Sequence, residues 1–434
     1  MISAATVGVI ALVVMIVLMM MQIPIAISMA LPAIVGILYL KGWTTLSAAI
    51  ETIFWNRSFH YTLSTLPMFI LMGEMLNISG VSSELFASFR AWLGRLKGGL
   101  GIATIGASAI FAAASGSSVA NTGTIGMMAT KEMLKYGYSR PLASGSIVAG
   151  GTLGILIPPS SFLIFYGMLT EQSIGKLLIA GIIPGVLLAL AYMLTVYLWV
   201  IFKPEQAPPA VGGTLKEKLA AFKSTGWIIL LFIIVIGGMF VGVFGPTEAA
   251  GIGAFCTMLI ALGKRKLTWS NFVQILARTV QTTGYMFAIV LGAFLLNYLL
   301  TFSKVPMIVS NWLLDLNLPN ALTFFLILVM YFLLGALMDS MAALVVTIPI
   351  VMPIITGMGH DLIWYGIVMC MMVEAALISP PHGMNLLILN GVAPELKMEQ
   401  IFKGALVFLI PIFLMIFIIY LFPELALYLP SRMS

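Results

Sequence analysis

The sequence predicts an all-α polytopic membrane protein built from two inverted-topology repeats, each with a re-entrant helical hairpin and a broken helix. Three observations predict it. The chain is 61% hydrophobic and 8% charged, with mean hydropathy +1.12, and the apolar excess runs through all 434 residues; soluble domains carry about 25% charged residues. Apolar stretches near the length of about 20 residues that crosses a hydrocarbon core recur along the chain. A segment broken at Pro-Pro recurs 222 residues later, as Ile157-Pro158-Pro159-Ser160 and Ser379-Pro380-Pro381-His382.

Spans are expected at residues 5–21, 23–40, 62–78, 143–169, 177–202, 227–243, 247–263, 283–301, 362–390 and 404–422. The first resembles a signal peptide in composition. No Lys or Arg precedes it, no small-residue cleavage site follows, and a second apolar run begins at once, so it reads as a span. Two further apolar stretches, 98–130 and 320–357, are too interrupted for simple helices and read as hairpins. Leu85, Phe86, Phe89, Trp92, Leu93 and Leu96 share one helical face, with Arg90, Arg95 and Lys97 near its end, the pattern of a helix lying in the interface. Segments 44–60 and 268–282 read the same way. Residues 203–226, carrying Pro204, Pro208, Pro209, Gly212 and Gly213, read as a cytoplasmic linker between a first half, 1–202, and a second half, 227–434.

Charge sets the expected orientation. If both hairpins return to their own side, 16 of the Lys and Arg residues fall in one group of loops and 5 in the other. The richer group, with Arg90, Lys131, Arg140, Lys216 and Arg265, is then cytoplasmic, and both termini lie outside. The net charge of +6 comes from these loops; no basic stripe with interleaved aromatics marks a nucleic-acid surface. Cys256 and Cys370 lie in apolar runs and read as unpaired.

The repeat carries the functional reading. Consecutive prolines remove backbone donors and open a helix. In lipid, opened backbone is tolerated only against protein or a wet cavity. Broken spans at matching places in two halves point to a transporter's midplane site. The same offset lays Ser117-Ser118 over Asp339-Ser340, each inside a hairpin. The first hairpin reads Ala114-Ser115-Gly116-Ser117-Ser118-Val119-Ala120-Asn121-Thr122-Gly123, rich in hydroxyls, amides and flexible backbone. Neutral oxygens suit hard monovalent cations, and half-helix N-termini suit an anionic group. Close packing of helices through Gly and Ser is the competing explanation.

Four acids stand in apolar context, Glu74, Glu248, Asp339 and Glu374. An ionisable group at bilayer depth is a functional candidate, and Asp339, at the second hairpin tip, is the foremost. Glu248 lies in a helix's first turn, where a carboxylate suits the dipole. His382, after the second Pro-Pro, is a candidate ligand. Neither a His-Glu-x-x-His helix nor a phosphate-cradling Gly-x-x-x-x-Gly-Lys-Ser/Thr loop is present, so the residues mark no zinc protease and no nucleotide hydrolysis.

At Ser115 to Ala120, Gly154 to Ser160, Gly175 to Gly185, Pro246 to Ala250 and Ser379 to Asn385 the chain resembles the large membrane subunit of tripartite ATP-independent periplasmic (TRAP) transporters, of the ion-transporter superfamily. The resemblance covers essentially the full length. It implies an elevator-type carrier in a bacterial inner membrane. Sodium-coupled uptake of an organic acid anion, carboxylate or sulfonate, is implied too. So are two partners, a periplasmic substrate-binding protein and a small four-helix membrane subunit. Na+ is the implied coupling ion, with no other cofactor. One sodium is expected around Ser115, Ser118, Gly154, Ile157 and Pro159, and a second around Gly335, Ser379 and His382. Substrate is expected between the hairpin tips, near Ser117, Asn121, Asp339, Ser340 and Asn385. The alternative is a stand-alone ion-coupled anion exchanger or symporter of the same superfamily. The chain departs from the family's usual pattern at Gly154-Ile155-Leu156-Ile157-Pro158-Pro159, at Asp339-Ser340 and at His382.

Overall fold

The computed structural model describes residues 3–57, 61–208, 213–316, 318–380 and 383–433. The described residues form helices joined by short connections, with no strand among them. Six helical segments are long and apolar enough to cross a membrane: Ile25–Trp55, Ile174–Phe202, Pro246–Gly263, Trp269–Ser303, Ser340–Gly357 and Met398–Leu421. Their outward faces carry large apolar side chains, among them Val35, Leu190, Phe255, Ile410 and Phe417. Such faces suit lipid as the solvent, where apolar surface carries no cost of hydration, and a helix can stand in lipid because its backbone groups are satisfied internally. Cys256 and Cys370 are free thiols.

Helix bounds recur at the sequence offset. Adding 222 to Ser118–Lys135 gives the range of Ser340–Gly357. Adding it to Gly99–Ser115 falls within one residue of Asn320–Leu337. Arg140–Thr152 and Ser161–Thr170 stand in the same relation to Leu362–Leu377 and Met384–Val392, whose bounds differ from the shifted ones by three residues or fewer.

Local chemistry ends and restarts these helices. Gly116, at φ 59°, stops the first hairpin helix in the left-handed conformation that glycine reaches without a Cβ clash. Ser117 then caps the returning helix, its hydroxyl accepting from the Ala120 N–H at 3.3 Å. In the second hairpin Asp339 plays that part, accepting from the Met341 N–H at 2.9 Å. The first broken span runs from Arg140 to Thr152, tightens into a 3₁₀ turn at Leu153–Ile155, opens, and resumes at Ser161 under a Ser160 cap that accepts from the Leu163 N–H at 3.1 Å.

A second group of helices packs beside these pairs. Ile25–Thr52 lies on Trp269–Ser303 through small residues: a Cβ on Gly292 would stand 2.7 Å from the Ala26 carbonyl oxygen. Such close approach is how helices bind one another without hydrophobic driving force. Thr65–Ile78 lies on Pro246–Gly263, with the Thr65 and Thr247 hydroxyls 2.7 Å apart.

Two boundaries differ from the sequence reading. Segment 268–282 is not a separate interfacial helix but the start of the single helix Trp269–Ser303, because no helix breaker separates the two. Segment 44–60 keeps its expected separation: Gly42 leaves helical conformation (φ 77°, ψ −179°), so a kink divides the span that begins at Ile25 from the helical residues up to Thr52. The stretch 203–226 is not all linker: a helix begins at Leu215, where Thr214 and Glu217 form a reciprocal capping box. In the helix Val81–Leu93, Leu85 and Phe86 are buried, whereas Trp92 is exposed.

Candidate functional site

The four interruptions meet at one cavity of about 390 Å³. Ser115 to Ala120 line it from the first hairpin and Asp339, Ser340 and Met341 from the second. Ile155, Ser161 and Phe162 come from the first broken span; Leu377 and Met384 flank the second break. The opposite wall is Ile70, Gly73, Glu74 and Asn77 of Thr65–Ile78, with Thr282, Tyr285 and Met286 of Trp269–Ser303.

The starts of four helices, Ser118, Ser161, Ser340 and Met384, therefore face a common space. Free N–H groups at such ends favour an anion. The ends of two preceding helices, at Ser115 and Leu377, and the 3₁₀ turn ending at Ile155 face it too. Unsatisfied carbonyls there favour a cation.

Residues named for the first sodium are drawn together by backbone packing. A Cβ on Gly116 would lie 2.3 Å from the Pro159 carbonyl oxygen, and one on Gly154 would lie 2.7 Å from the Ser117 carbonyl oxygen and 2.9 Å from the Ser118 nitrogen. The Ser161 N–H donates to the Gly116 carbonyl at 3.2 Å. The tip of the hairpin thus sits on the opened backbone. The Ser115 hydroxyl is buried there and has no hydrogen-bond partner among the described residues. Ile157 is buried alongside, in van der Waals reach of Gly185.

For the second sodium, a Cβ on Gly335 would be 2.6 Å from that of Ala376, which places the hairpin against the second broken span. Ser379 is buried one turn on and donates to the Ala375 carbonyl at 2.7 Å. His382 and the preceding Pro381 lie outside the described residues.

Among the residues named for substrate, Ser117, Asp339 and Ser340 line the cavity. Asn121 and Asn385 do not. Asn121 points into the hairpin, its amide donating to the Ser108 and Gly150 carbonyls at 3.1 and 3.3 Å. Asn385 is fully buried, and neither of its amide atoms has a partner among the described residues. The sequence reading missed Asn77, Thr282 and Tyr285, which carry no local signal, and named Glu74 only as an acid in apolar context. Glu374 is fully buried away from the cavity. Glu248 accepts from the Tyr61 hydroxyl at 2.8 Å, a structural contact at a helix start.

Known proteins align with this architecture. The YdaH transporter of Alcanivorax borkumensis superimposes with TM-score 0.57 at 14% identity, covering 90% of this chain and 89% of that one. MtrF of Neisseria gonorrhoeae superimposes with TM-score 0.60 at 12% identity, covering 96% and 94%. These identities show a shared fold. Sequence relatives are nearer. The C4-dicarboxylate TRAP transporter large permease protein DctM of Vibrio cholerae serotype O1 is 33% identical over 437 residues, 95% of each chain. That of Pseudomonas aeruginosa is 34% identical over 373 residues, 86% of this chain and 87% of the relative. A sialic acid TRAP transporter large permease, SiaM of Vibrio cholerae serotype O1, is 29% identical over 86% of this chain and 87% of its own. The sequence profile described as "Tripartite ATP-independent periplasmic transporter, DctM component" matches residues 12–425. This multi-pass membrane protein is a permease rather than an enzyme, and it belongs to the DctM-component family of tripartite ATP-independent periplasmic transporters.

Proposed function

We propose that this chain carries an organic acid anion into the cell together with sodium. The observation that carries the reading is the convergence of four helix interruptions on one cavity. Helix starts supply partial positive charge for the anion. Helix ends, with Ser115 and Ser118, supply neutral oxygens for the cation. The first sodium is held around Ser115, Ser118, Gly154, Ile157 and Pro159, and the second around Gly335, Ser379 and His382. The substrate rests between the tips, against Ser117 and Ser340. Relatives named for C4-dicarboxylate, sialic acid and 2,3-diketo-L-gulonate all take anions, which supports the substrate class.

The hairpins and broken spans form the mobile unit of an elevator in this reading. The helices Ile25–Thr52, Thr65–Ile78, Pro246–Gly263 and Trp269–Ser303 belong to the fixed part. A small four-helix membrane subunit extends the fixed part, and a periplasmic binding protein delivers the anion at the inner membrane. Family membership supports both partners. The test is reconstitution of this chain with the small subunit in liposomes. Accumulation of a labelled organic acid should require an inward sodium gradient and the binding protein. Equal uptake by this chain alone would instead establish the stand-alone carrier.

A further inference from the structure

The full charges in the cavity wall oppose an anion. Asp339 and Glu74 line the space, and no Lys, Arg or His stands among the described lining residues. The helix starts on the hairpin side offer only partial positive charge. The opposite wall, where Glu74 sits, offers none.

One cation lies next to that wall. The Arg278 Nη1 is 3.7 Å from Glu74 Oε2. That separation makes an ion pair without a hydrogen bond; Glu74 Oε2 is buried and accepts from no donor among the described residues. Arg278, Thr282 and Tyr285 fall at i, i+4 and i+7 of Trp269–Ser303, so they share one helix face, and the latter two line the cavity. The arginine side chain is 58% exposed, and at 3.7 Å the carboxylate does not hold its N–H groups in a hydrogen bond. A planar fork of five donors is the group that matches a carboxylate or sulfonate in two parallel hydrogen bonds.

We infer that Arg278 is the residue that recognises the substrate's acidic group from the fixed wall, and that Glu74 holds it in place while the cavity is empty. The loose geometry is what such a role needs. A tight bidentate Glu74–Arg278 pair would have to be broken by the substrate, whereas a pair at 3.7 Å surrenders little when an anion takes the guanidinium. This assignment rests on the anion-transport reading and adds to it the specificity-determining side chain.

The test is uptake into liposomes holding both membrane subunits, with the binding protein present. Labelled succinate, N-acetylneuraminate and isethionate serve as probes, and the one that wild type accumulates is carried forward. Arg278→Gln is expected to raise the anion KM at least tenfold while the sodium half-saturation stays within twofold. Arg278→Lys should fall between, because it keeps the charge but not the fork. Glu74→Gln, which frees the guanidinium, should lower the anion KM or leave it unchanged. An unaltered KM in Arg278→Gln overturns the assignment. So does a rise in KM of equal size in Glu74→Gln and Arg278→Gln, since that marks a purely structural pair. Should Arg278→Gln fail to fold, the Arg278→Lys and Glu74→Gln pair decides by the same criteria. A wild type that accumulates none of the probes strikes the anion-transport reading itself, a result distinct from a wild type that transports with Arg278 dispensable.

Discussion

Gly116 and Pro159 meet backbone to backbone: a Cβ on Gly116 would lie 2.3 Å from the Pro159 carbonyl oxygen. The first hairpin tip is thereby seated on the opened backbone of the first broken span. Gly116 also sits at φ 59°, where a side chain is strained. Gly116→Ala combines both penalties, roughly 1–2 kcal/mol for the left-handed conformation and about 1–3 kcal/mol for overpacking. Thermal unfolding in detergent should show a clear loss of stability, with transport lost as the tip lifts. An unchanged midpoint would mean that the tip is free to move off Pro159.

Gly284 is the matching control. It lies inside Trp269–Ser303, and nothing among the described residues stands within 4 Å of where its Cβ would be. Gly284→Ala should stabilise the helix by about 0.5–1 kcal/mol through lost backbone freedom in the unfolded chain. A destabilised variant would show that the small subunit or another partner packs closely there.

Ser115 separates ion binding from folding. Its hydroxyl is buried without a partner among the described residues, so removing it breaks no hydrogen bond among them. Ser115→Ala should fold as well as wild type. Loss of one oxygen from the proposed cage should cost about 1–3 kcal/mol of sodium binding, a several-fold to hundredfold rise in the sodium concentration for half-maximal transport. Ser118→Ala should shift the curve in the same direction. Sodium curves that superimpose on wild type for both variants would return the serines to a packing role.

Asp339→Asn isolates charge from structure. The Asp339 carboxylate caps its helix through the Met341 N–H at 2.9 Å, and asparagine caps equally well. Stability should therefore hold, and any change in transport reports the lost negative charge at the second tip. The expected result is altered substrate or pH dependence with the Ser115–Ser118 sodium response retained. Transport indistinguishable from wild type across pH would remove Asp339 from the mechanism.

Orientation is tested by labelling. The charge asymmetry predicts that a cysteine at Ser434 reacts with an impermeant reagent in intact cells and that one at Thr214 does not. Reaction at Thr214 without permeabilisation would invert the whole arrangement, including the side from which Arg278 is reached.

By itself the sequence determined the solvent, the punctuation and the repeat. Composition alone demands lipid, since 8% charged residues cannot cover a water-facing surface. Pro158, Pro159 and Pro380 act on their own turns, so the breaks they impose are readable without any partner. The glycine stop at Gly116 and the caps at Ser117 and Asp339 came from the structure, although they too act on their own turns. The tertiary structure alone decided which polar groups share a space. Asn121 and Ser117 are four residues apart in one motif, yet Ser117 lines the cavity and Asn121 turns inward to the Ser108 and Gly150 carbonyls. Glu74, Thr282 and Tyr285 sit in ordinary apolar helices and reach the cavity only because Thr65–Ile78 and Trp269–Ser303 pack across from the hairpin tips. Local rules fix where a helix starts and stops, whereas the face it presents to a distant segment is set by close packing between backbones. The pairing of Glu74 with Arg278, which are far apart in the chain, is a product of that packing.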